Sequence, residues 1–313
     1  MKNIKINIAP IVLFTYRRVP KDTIESLLQN NLVEKSELYI FSDGYKNEVD
    51  KQDVLDVRKY LKTIDGFKSV KIIEAPNNKG LAKSVITGVS EIINKYEKVV
   101  VLEDDLVVSS DFLKYMNETL EFYKNDDRIW SISGYGPKLH CLEDYGKDLY
   151  LSPRASSWGW ASWKDRWDSV DWDVKNFESL KHDKNMKSRF EQGGDDMYKM
   201  LELQMLGKID SWAIRWCFSQ FLQGKYTVYP KKSKIVNDGF SDAKGTHNSG
   251  NSSKWDVSAS DNKVIFEKLE VDLKIIECFA SYHNLKLFTK LGYFLKKYGG
   301  YKVAKYIVGK IKG

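Results

Sequence analysis

Three adjacent carboxylates, Glu103, Asp104 and Asp105, follow the apolar run 99–102 and are the residues of this chain best suited to chemistry. An aliphatic run without polar alternation is typical of a central strand in a parallel sheet, and ligands of open α/β sheets bind beyond the carboxyl ends of such strands. Adjacent carboxylates repel one another unless a cation lies among them, and their oxygens suit Mg²⁺ or Mn²⁺, which often also bind substrate phosphates. The pattern therefore predicts a metal-dependent site for a nucleotide diphosphate. The alternative is a strand that runs into an acidic surface turn.

The segments around this run alternate between strand and helix patterns. Strands are predicted for the apolar segments 6–14 (centred on 12–14), 37–42, 70–74, 98–102 and 129–133. Helices are predicted, from apolar residues at helical spacing, for 22–30, 50–63, 80–94 and 111–123, the last capped by Ser109 or Ser110. Strands that alternate with helices over about 135 residues predict a βαβ sheet.

The second half of the chain has a different composition. Tryptophans are concentrated between residues 156 and 172, at Trp158, Trp160, Trp163, Trp167 and Trp172. Helices are predicted at 197–206 and 211–222 and a strand at 226–229. The segment 237–253 is rich in Gly, Ser, Asn and Asp, so a mobile loop is predicted there.

The bulk composition predicts a chain with a sizeable core. Its 313 residues, 42% hydrophobic and 30% charged, suffice for one large domain or two closely joined ones. No apolar run reaches the roughly 20 residues of a membrane-spanning helix. The first residues lack the apolar segment and cleavage site of a signal peptide. Cys141, Cys217 and Cys278 lack metal-ligand spacing, so we expect reduced thiols in a cytoplasmic protein.

The net charge of +7 is concentrated at the C-terminal end. From Cys278 onward the chain has eight lysines and no acidic residue, so the first 277 residues are nearly neutral. This distribution argues against a nucleic-acid-binding groove. Within 285–312, apolar residues recur at helical spacing with lysines on the other faces, a pattern typical of helices that lie on a membrane surface. The alternative is a terminal helix that packs on the body with its lysines in solvent.

Four segments, in this order, resemble the GT-A glycosyltransferases, and within them the branch of N-acetylglucosaminyltransferase I and bacterial family 2-type sugar transferases. They are Val12-Leu13-Phe14-Thr15-Tyr16-Arg17, Phe41-Ser42-Asp43-Gly44, Val100-Val101-Leu102-Glu103-Asp104-Asp105-Leu106 and Gly159-Trp160. The acid triplet followed by Asp111-Phe112 is similar to that branch's variant of the DxD motif. The resemblance implies an α/β fold of GT-A type, with a Rossmann-like nucleotide-binding sheet flanked by helices at 1–135. It further implies a fused acceptor-side and catalytic half at 136–260. For the remainder, 261–313, the lysine-rich amphipathic pattern predicts a basic, helical, membrane-associating tail.

The resemblance also implies roles on the donor side. Asp105 would ligate the metal directly, while Glu103 and Asp104 would contact the ribose, the donor sugar or metal-bound water. Arg17 would meet the phosphates, because a guanidinium can bind phosphate oxygens in a bidentate way. The adjacent Arg18 could substitute for it, and a surface arginine is the alternative.

Other donor-side residues follow from weaker similarities. Asp43 matches a carboxylate that bonds the nucleobase edge, and its alternative is a turn aspartate before Gly44. Lys83 is a candidate for nucleotide contact, although lysines on such helices are usually solvated. The segment 233–247 resembles a loop that closes over the donor, in which His247 could reach the diphosphate or the metal, although a lone loop histidine is more often incidental.

The catalytic base of an inverting family member is a carboxylate on the acceptor side. Asp195 and Asp196 match best, with Asp196 slightly favoured, because they follow a Gly-Gly turn and precede a helix. Aspartates there could equally be helix caps. Asp210 is the second candidate, and weaker ones are Asp168, Asp171 and Asp173.

Trp158 and Trp160, on either side of Gly159, could stack on the acceptor or donor sugar, because sugars present a C–H face to aromatic rings. The alternative is a place in the core, which we expect for Trp163 and Trp167.

Together these features predict an inverting glycosyltransferase that uses Mn²⁺ or Mg²⁺ and a nucleotide sugar, a UDP-sugar in the first instance. The acceptor would be a glycan or lipid-linked oligosaccharide in bacterial surface polysaccharide or lipopolysaccharide assembly, at the inner leaflet of the plasma membrane. Two alternatives are a sugar-nucleotide pyrophosphorylase and a non-catalytic, membrane-associated sugar-binding module. The lack of glycine in Phe14-Thr15-Tyr16-Arg17-Arg18 argues against the former, and the intact acid triplet argues against the latter.

Overall fold

The computed structural model describes residues 7–238 and 263–285, together with Tyr293 and Lys297. Its strands are β1 (Ile11–Thr15), β2 (Glu37–Ser42), β3 (Ser69–Glu74), β4 (Lys98–Glu103), β5 (Leu106–Val108), β6 (Ile129–Ser133), β7 (Leu149–Ser152), β8 (Trp160–Trp163), β9 (Tyr226–Pro230) and β10 (Ile235–Asn237). Its helices are α1 (Lys21–Leu28), α2 (Glu48–Leu61), α3 (Leu81–Tyr96), α4 (Phe112–Tyr123), α5 (Lys164–Asp168), α6 (Phe177–His182), α7 (Lys184–Phe190), α8 (Met197–Met205), α9 (Trp212–Leu222) and α10 (Leu273–His283).

An eight-stranded sheet forms the centre of this described part, in the order β3-β2-β1-β4-β8-β6-β9-β7. The first four strands of that order are parallel, as βαβ connections require. The other half is mixed, because β8 is antiparallel to β4 and β6, while β9 is parallel to β6 and antiparallel to β7. A separate antiparallel pair is formed by β5 and β10. These features confirm the predicted α/β fold of GT-A type.

The strand that precedes the acid triplet lies at the middle of this sheet. β4 pairs in parallel with β1 and antiparallel with β8, and the side chains from Val99 to Leu102 are at most 1% exposed. Both faces of β4 are therefore covered, which explains why its sequence is aliphatic without alternation. Its last residue, Glu103, lies opposite Phe14 of β1, at the carboxyl edge of the parallel strands.

Helices cover both faces of the sheet. Ile11 and Leu13 of β1 belong to one buried cluster, which includes apolar residues of α1, α2 and α4. Val12 and Phe14 belong to a second cluster, which includes residues of α3, α8 and α9. Because successive strand side chains point to opposite faces, one five-residue strand contributes to both cores.

Some elements differ from the sequence predictions. β5, β7, β8 and β10 were not predicted, because they are short and carry no clear alternation of apolar and polar residues. β10 lies within the segment 233–247 that was expected to be a loop. The predicted serine cap of α4 is wrong: Asp111 occupies the N-cap position, and its Oδ1 accepts a hydrogen bond of 2.8 Å from Ser109 Oγ.

The expectation of three reduced thiols is also wrong for two of them. Cys141 and Cys278 form a disulfide, with Cα atoms 6.4 Å apart, and Cys217 is free and buried. The pair is 137 residues apart in sequence and meets only because α10 packs near residues 140–142, so spacing alone could not reveal it. Among the described residues, no helix is long and apolar enough to cross a membrane. Of the predicted tail at 261–313, the structure describes residues 263–285, which include α10, together with Tyr293 and Lys297. Most of the lysine-rich pattern at 285–312 lies outside the described residues.

Candidate active site

The acid triplet lies where β4 ends, next to the end of β1. The backbone N–H of Tyr16 donates a hydrogen bond of 3.2 Å to Asp104 Oδ2, so the segment after β1 is tied to the triplet. Glu103, Asp104 and Asp105 each keep part of their surface in solvent. They stand close enough for their charges to interact, which confines three negative groups to one edge of the sheet.

This crowding changes the acidity of the triplet. Burial by the surrounding protein, followed by repulsion from Asp105 and Asp104, raises the pKa of Glu103 well above its ordinary value. Burial and repulsion from Asp105 likewise raise the pKa of Asp104 to about 7. Hydrogen bonds from Thr15 and from the Tyr16 N–H act in the opposite direction but are outweighed. A carboxyl group whose ionised form is this unfavourable gains from a neighbouring cation.

A second segment reaches the triplet from the other side. The backbone N–H of Asp238, just after β10, donates a hydrogen bond of 2.9 Å to the carbonyl oxygen of Asp105. β10 can approach this closely because glycines lie beneath Ile235. A Cβ atom on Gly159, whose φ is +50°, would be 1.9 Å from Ile235 Cδ1, and one on Gly134 would be 2.8 Å from it. Gly159 therefore makes room for β10, and its predicted role at a sugar stays a prediction.

The two arginines after β1 point to different partners. Arg17 forms ion pairs with Asp50 at 2.8 Å and Asp53 at 3.1 Å, both on α2. The guanidinium of Arg18 lies 3.6 Å from Asp238 Oδ2. Its positive charge partly offsets the rise in the pKa of Asp104 that burial and Asp105 cause. Of the two, Arg18 is the one that the structure places beside the acid triplet.

Asp43, predicted to bond a nucleobase, organises the turn before α3. Its Oδ1 accepts hydrogen bonds from the N–H groups of Gly44 and Lys79, both at 2.8 Å. Its Oδ2 accepts from the Gly80 N–H at 3.0 Å and from the Asn78 amide at 3.1 Å. Four donors match the acceptor capacity of one carboxylate, so the structure favours the alternative role of a turn aspartate.

Lys83 and the two tryptophans occupy different environments. Lys83 is exposed on α3. Trp158 is half-buried, with its ring 4.8 Å from that of Tyr135 in an edge-on contact. Trp160 is 1% exposed and contacts three other tryptophan rings. The prediction that it stacks on a sugar is therefore wrong, because its ring has no exposed face. Trp167 is buried in the same cluster, as expected.

The two aspartates predicted as candidate catalytic bases, Asp195 and Asp196, are both hydrogen-bonded to neighbouring residues. Asp196 is buried and accepts two hydrogen bonds from Arg154, at 2.6 and 2.8 Å. The carboxylate of Asp195 accepts a hydrogen bond of 2.7 Å from the Leu285 N–H, and its own N–H donates to Asn284 Oδ1. The structure thus places both aspartates beside the C-terminal end of α10, where they hold backbone and side-chain partners.

Asp210, the second base candidate, lies next to the donor side. A Cβ atom on Gly80, whose φ is +77°, would be 3.7 Å from Asp210 Oδ2, so the Asp210 carboxylate borders the turn that Asp43 holds. Its side chain is 64% exposed, and its Oδ1 lies 3.5 Å from the Arg215 guanidinium. The other weak candidates, Asp168, Asp171 and Asp173, precede α6; two of them, Asp171 and Asp173, take part in a local turn. His247 lies outside the described residues.

Comparison with protein families gives one match. Residues 2–189, more than half of the chain, match the GNT-I family. The chain belongs to the GNT-I family. It is therefore a glycosyltransferase, a class of enzyme that uses a nucleotide-sugar donor and a glycan acceptor. A search of curated proteins gives no match. The GNT-I match covers the acid triplet, Arg17, Arg18 and Asp43 but ends before Asp195, Asp196 and Asp210, so it does not choose among the base candidates.

The donor set of this GNT-I family chain fits a divalent cation that is shared with substrate. Among residues 7–238 and 263–285, no three carboxylate, imidazole or thiolate side chains form a cluster that could hold a metal alone. A cation such as Mg²⁺ instead keeps several waters and binds one or two carboxylates plus substrate phosphates. The crowded triplet suits that arrangement, because the cation would offset the burial and the mutual repulsion that together raise the pKa values of Glu103 and Asp104.

Two site residues escaped the sequence reasoning. Arg154, the partner of Asp196, had no motif to mark it. Asp238 fell within the predicted loop 237–253 and was not considered as a partner of the triplet. The sequence pattern that could have indicated it is the apolar pair Ile235-Val236, which belongs to the short strand β10 just before Asp238.

Proposed function

We propose that this glycosyltransferase is an inverting enzyme that depends on Mn²⁺ or Mg²⁺ and takes its sugar from a UDP-sugar. The observation that carries the proposal is the acid triplet at the carboxyl end of β4, where burial and mutual repulsion raise the pKa of Glu103 and Asp104. Such a cluster is costly for a protein to keep, and cation binding offsets the cost. Asp105 would be the direct ligand, with Glu103 and Asp104 beside it, and the bound cation would neutralise charge on the leaving diphosphate.

The base of the transfer would be a carboxylate that faces the donor from the acceptor side. Among the candidates we favour Asp210, because its carboxylate is exposed and lies at the carboxyl edge of the sheet, next to the Gly80 turn. It would accept the proton of the acceptor hydroxyl as that oxygen attacks the anomeric carbon from the face opposite the leaving group. Asp196 is less suited, because it is buried and both of its carboxylate oxygens are occupied by hydrogen bonds from Arg154.

The acceptor would be a lipid-linked glycan of bacterial surface polysaccharide or lipopolysaccharide assembly. The segment from Cys278 onward carries eight lysines and no acidic residue. These lysines would attract an anionic leaflet, each by about 1 kcal/mol. The enzyme would then work at the cytoplasmic surface of the membrane. Sedimentation with vesicles that contain anionic lipid tests this, with a variant lacking residues 286–313 as control; equal binding of both forms would refute it.

Product analysis tests the catalytic proposal. The purified chain is incubated with UDP-sugars and glycan acceptors, in Mn²⁺ or in EDTA, and released UDP and pyrophosphate are measured. UDP release that requires the cation is expected. Asp105→Asn should abolish this release, whereas Asp53→Asn, which removes a carboxylate of α2, should not. Released pyrophosphate would indicate a pyrophosphorylase, and no turnover with any donor would indicate a sugar-binding module.

The same assay identifies the base. Asp210→Asn should lower kcat by at least about 10²-fold with little change in UDP affinity, because general-base catalysis contributes about that much. Asp195→Asn and Asp196→Asn provide the comparison. If Asp196→Asn has the large effect and Asp210→Asn does not, the base is Asp196, as the sequence alone favours.

A further inference from the structure

Arg18 lies between two carboxyl-bearing segments at the candidate donor site. Its guanidinium is 3.6 Å from Asp238 Oδ2, and its charge acts on Asp104 of the acid triplet. The Arg18 side chain is 15% exposed, whereas that of Asp238 is 46% exposed. An ion pair at this distance with one exposed partner is weak, on the order of 1 kcal/mol or less. The loss of this ion pair therefore costs little when a stronger anion binds Arg18.

Arg17 is held differently, although it is the neighbour in sequence. Asp50 and Asp53 of α2 flank its guanidinium at 2.8 and 3.1 Å. Asp50 also accepts a hydrogen bond of 2.8 Å from the Tyr16 hydroxyl, so this network fastens the segment after β1 onto α2. Arg17 is thus part of the scaffold, and Arg18 is the arginine left beside the triplet.

Asp238 is held beside Arg18 because it directly follows β10, a strand that is fixed at both ends. Just before β10, Lys234 is 1% exposed and donates a hydrogen bond of 2.6 Å to Asp111 Oδ2. Just after β10, the Asp238 N–H bonds the carbonyl oxygen of Asp105. Both ends of the strand are therefore fixed to the segment that follows β4. The backbone of Asp238 is in consequence held next to Asp105, the residue proposed to bind the cation.

We propose that the Asp238 carboxylate is an internal substitute for a phosphate of the donor, and that it occupies Arg18 until a nucleotide diphosphate displaces it. The inference rests on the proposed function, because it needs a diphosphate at the acid triplet. A phosphate offers more negative charge and a bidentate fit to the guanidinium, so it wins the competition. The competition lowers donor affinity in the wild-type chain, and Asp238 thereby sets how tightly the enzyme holds donor and product diphosphate.

Nucleotide binding to the purified full chain tests the inference. Dissociation constants for UDP and for uridine are measured in Mn²⁺ by calorimetry, with uridine by competition. Asp238→Asn keeps the backbone N–H that bonds Asp105 but removes the charge, so UDP should bind about two- to five-fold more tightly, the range of a weak ion pair. Uridine, which has no phosphate, should bind as it does to the wild type.

Two further variants make the test specific. Asp53→Asn removes a carboxylate from Arg17 and should leave both constants unchanged; tighter UDP binding by this variant would assign the diphosphate to Arg17 instead. Arg18→Gln should weaken UDP binding, and adding Asp238→Asn to it should then have no effect, because the two residues act through one ion pair. If Asp238→Asn folds poorly, Asp238→Ser serves in its place.

The outcomes separate this inference from the function on which it rests. Wild-type chain that binds no nucleotide diphosphate in Mn²⁺ would refute the proposed function, and the inference with it. Wild-type chain that binds UDP, with an Asp238→Asn variant of equal affinity, would refute the inference alone. An equal gain for UDP and uridine would also refute it, because the effect would then not depend on the phosphates.

Discussion

Removal of one charge from the acid triplet should stabilise the cation-free enzyme at neutral and alkaline pH. Burial and repulsion from Asp105 raise the pKa of Asp104 from its ordinary 3.8 to about 7, and they also raise that of Glu103. The folded chain therefore binds these protons more tightly than the unfolded chain does. The free energy of unfolding must then fall as the pH rises between the two pKa values of Asp104.

The size of the effect follows from the two pKa values. A difference of about three pH units, at about 1.4 kcal/mol each, corresponds to about 4 kcal/mol lost between about pH 4 and pH 7. Part of this loss is the repulsion by Asp105. Asp105→Asn removes that part, so we expect this variant to be more stable than wild type by roughly 1–2 kcal/mol at pH 8 and equal to it at pH 4.

Urea denaturation from pH 4 to pH 8.5 in EDTA measures this difference directly, since contributions from other groups cancel between variant and wild type. Asp53→Asn is the control carboxylate, because it lies on α2 and not in the triplet. Addition of Mn²⁺ together with UDP, whose phosphates complete the proposed cation site, should stabilise the wild type at pH 8 and stabilise Asp105→Asn much less. If Asp105→Asn is less stable than wild type at pH 8 in EDTA, or if its advantage does not grow with pH, the electrostatic reasoning about the triplet is wrong.

Two other predictions concern residues away from the cation. A hydrogen bond from Lys68 is the first cause that lowers the pKa of Glu37 from 4.5 to about 2, so this carboxylate should stabilise the fold above pH 4.5 and lose that effect as the pH falls toward 2. Because Lys68 is exposed, the loss should be roughly 1–2 kcal/mol, seen as a flatter acid limb of the denaturation profile for Glu37→Gln. Gly159→Ala should destabilise the fold by about 2–4 kcal/mol, because the added Cβ meets Ile235 and the backbone φ is positive. Gly146→Ala, where the structure leaves open space, should be neutral in the same thermal or urea measurement.

The donor half of the fold was predictable because its signals are local. Val99–Leu102 are aliphatic since both faces of β4 are covered. Val85, Val89 and Ile92 of α3 are buried as its pattern predicts, whereas Leu81, at the start of that pattern, is exposed. β8 gave no such signal. Its residues, from Trp160 to Trp163, are all buried, and a tryptophan-rich segment reads equally well as core or as ligand platform.

The site was only partly predictable, for reasons of distance in sequence. The acid triplet is contiguous in sequence, so it can be recognised without knowledge of the fold. The proximity of Asp210 to Gly80 joins positions 130 residues apart, and no spacing rule connects them. The choice between Arg17 and Arg18 depends on which carboxylates their side chains reach, Asp53 or Asp238, and sequence cannot decide that for adjacent arginines.

The position of β4 has a consequence for how such enzymes diversify. β4 is the boundary at which the parallel strands β1–β4 meet the mixed strands β6–β9, and it pairs with one neighbour from each group. Substitutions among the mixed strands leave the hydrogen-bond register of β1, β2 and β3 intact. Under the predicted division of the chain into a donor half at 1–135 and an acceptor half at 136–260, changes in the recognised glycan would fall after this boundary, and related chains are expected to diverge faster there than before it.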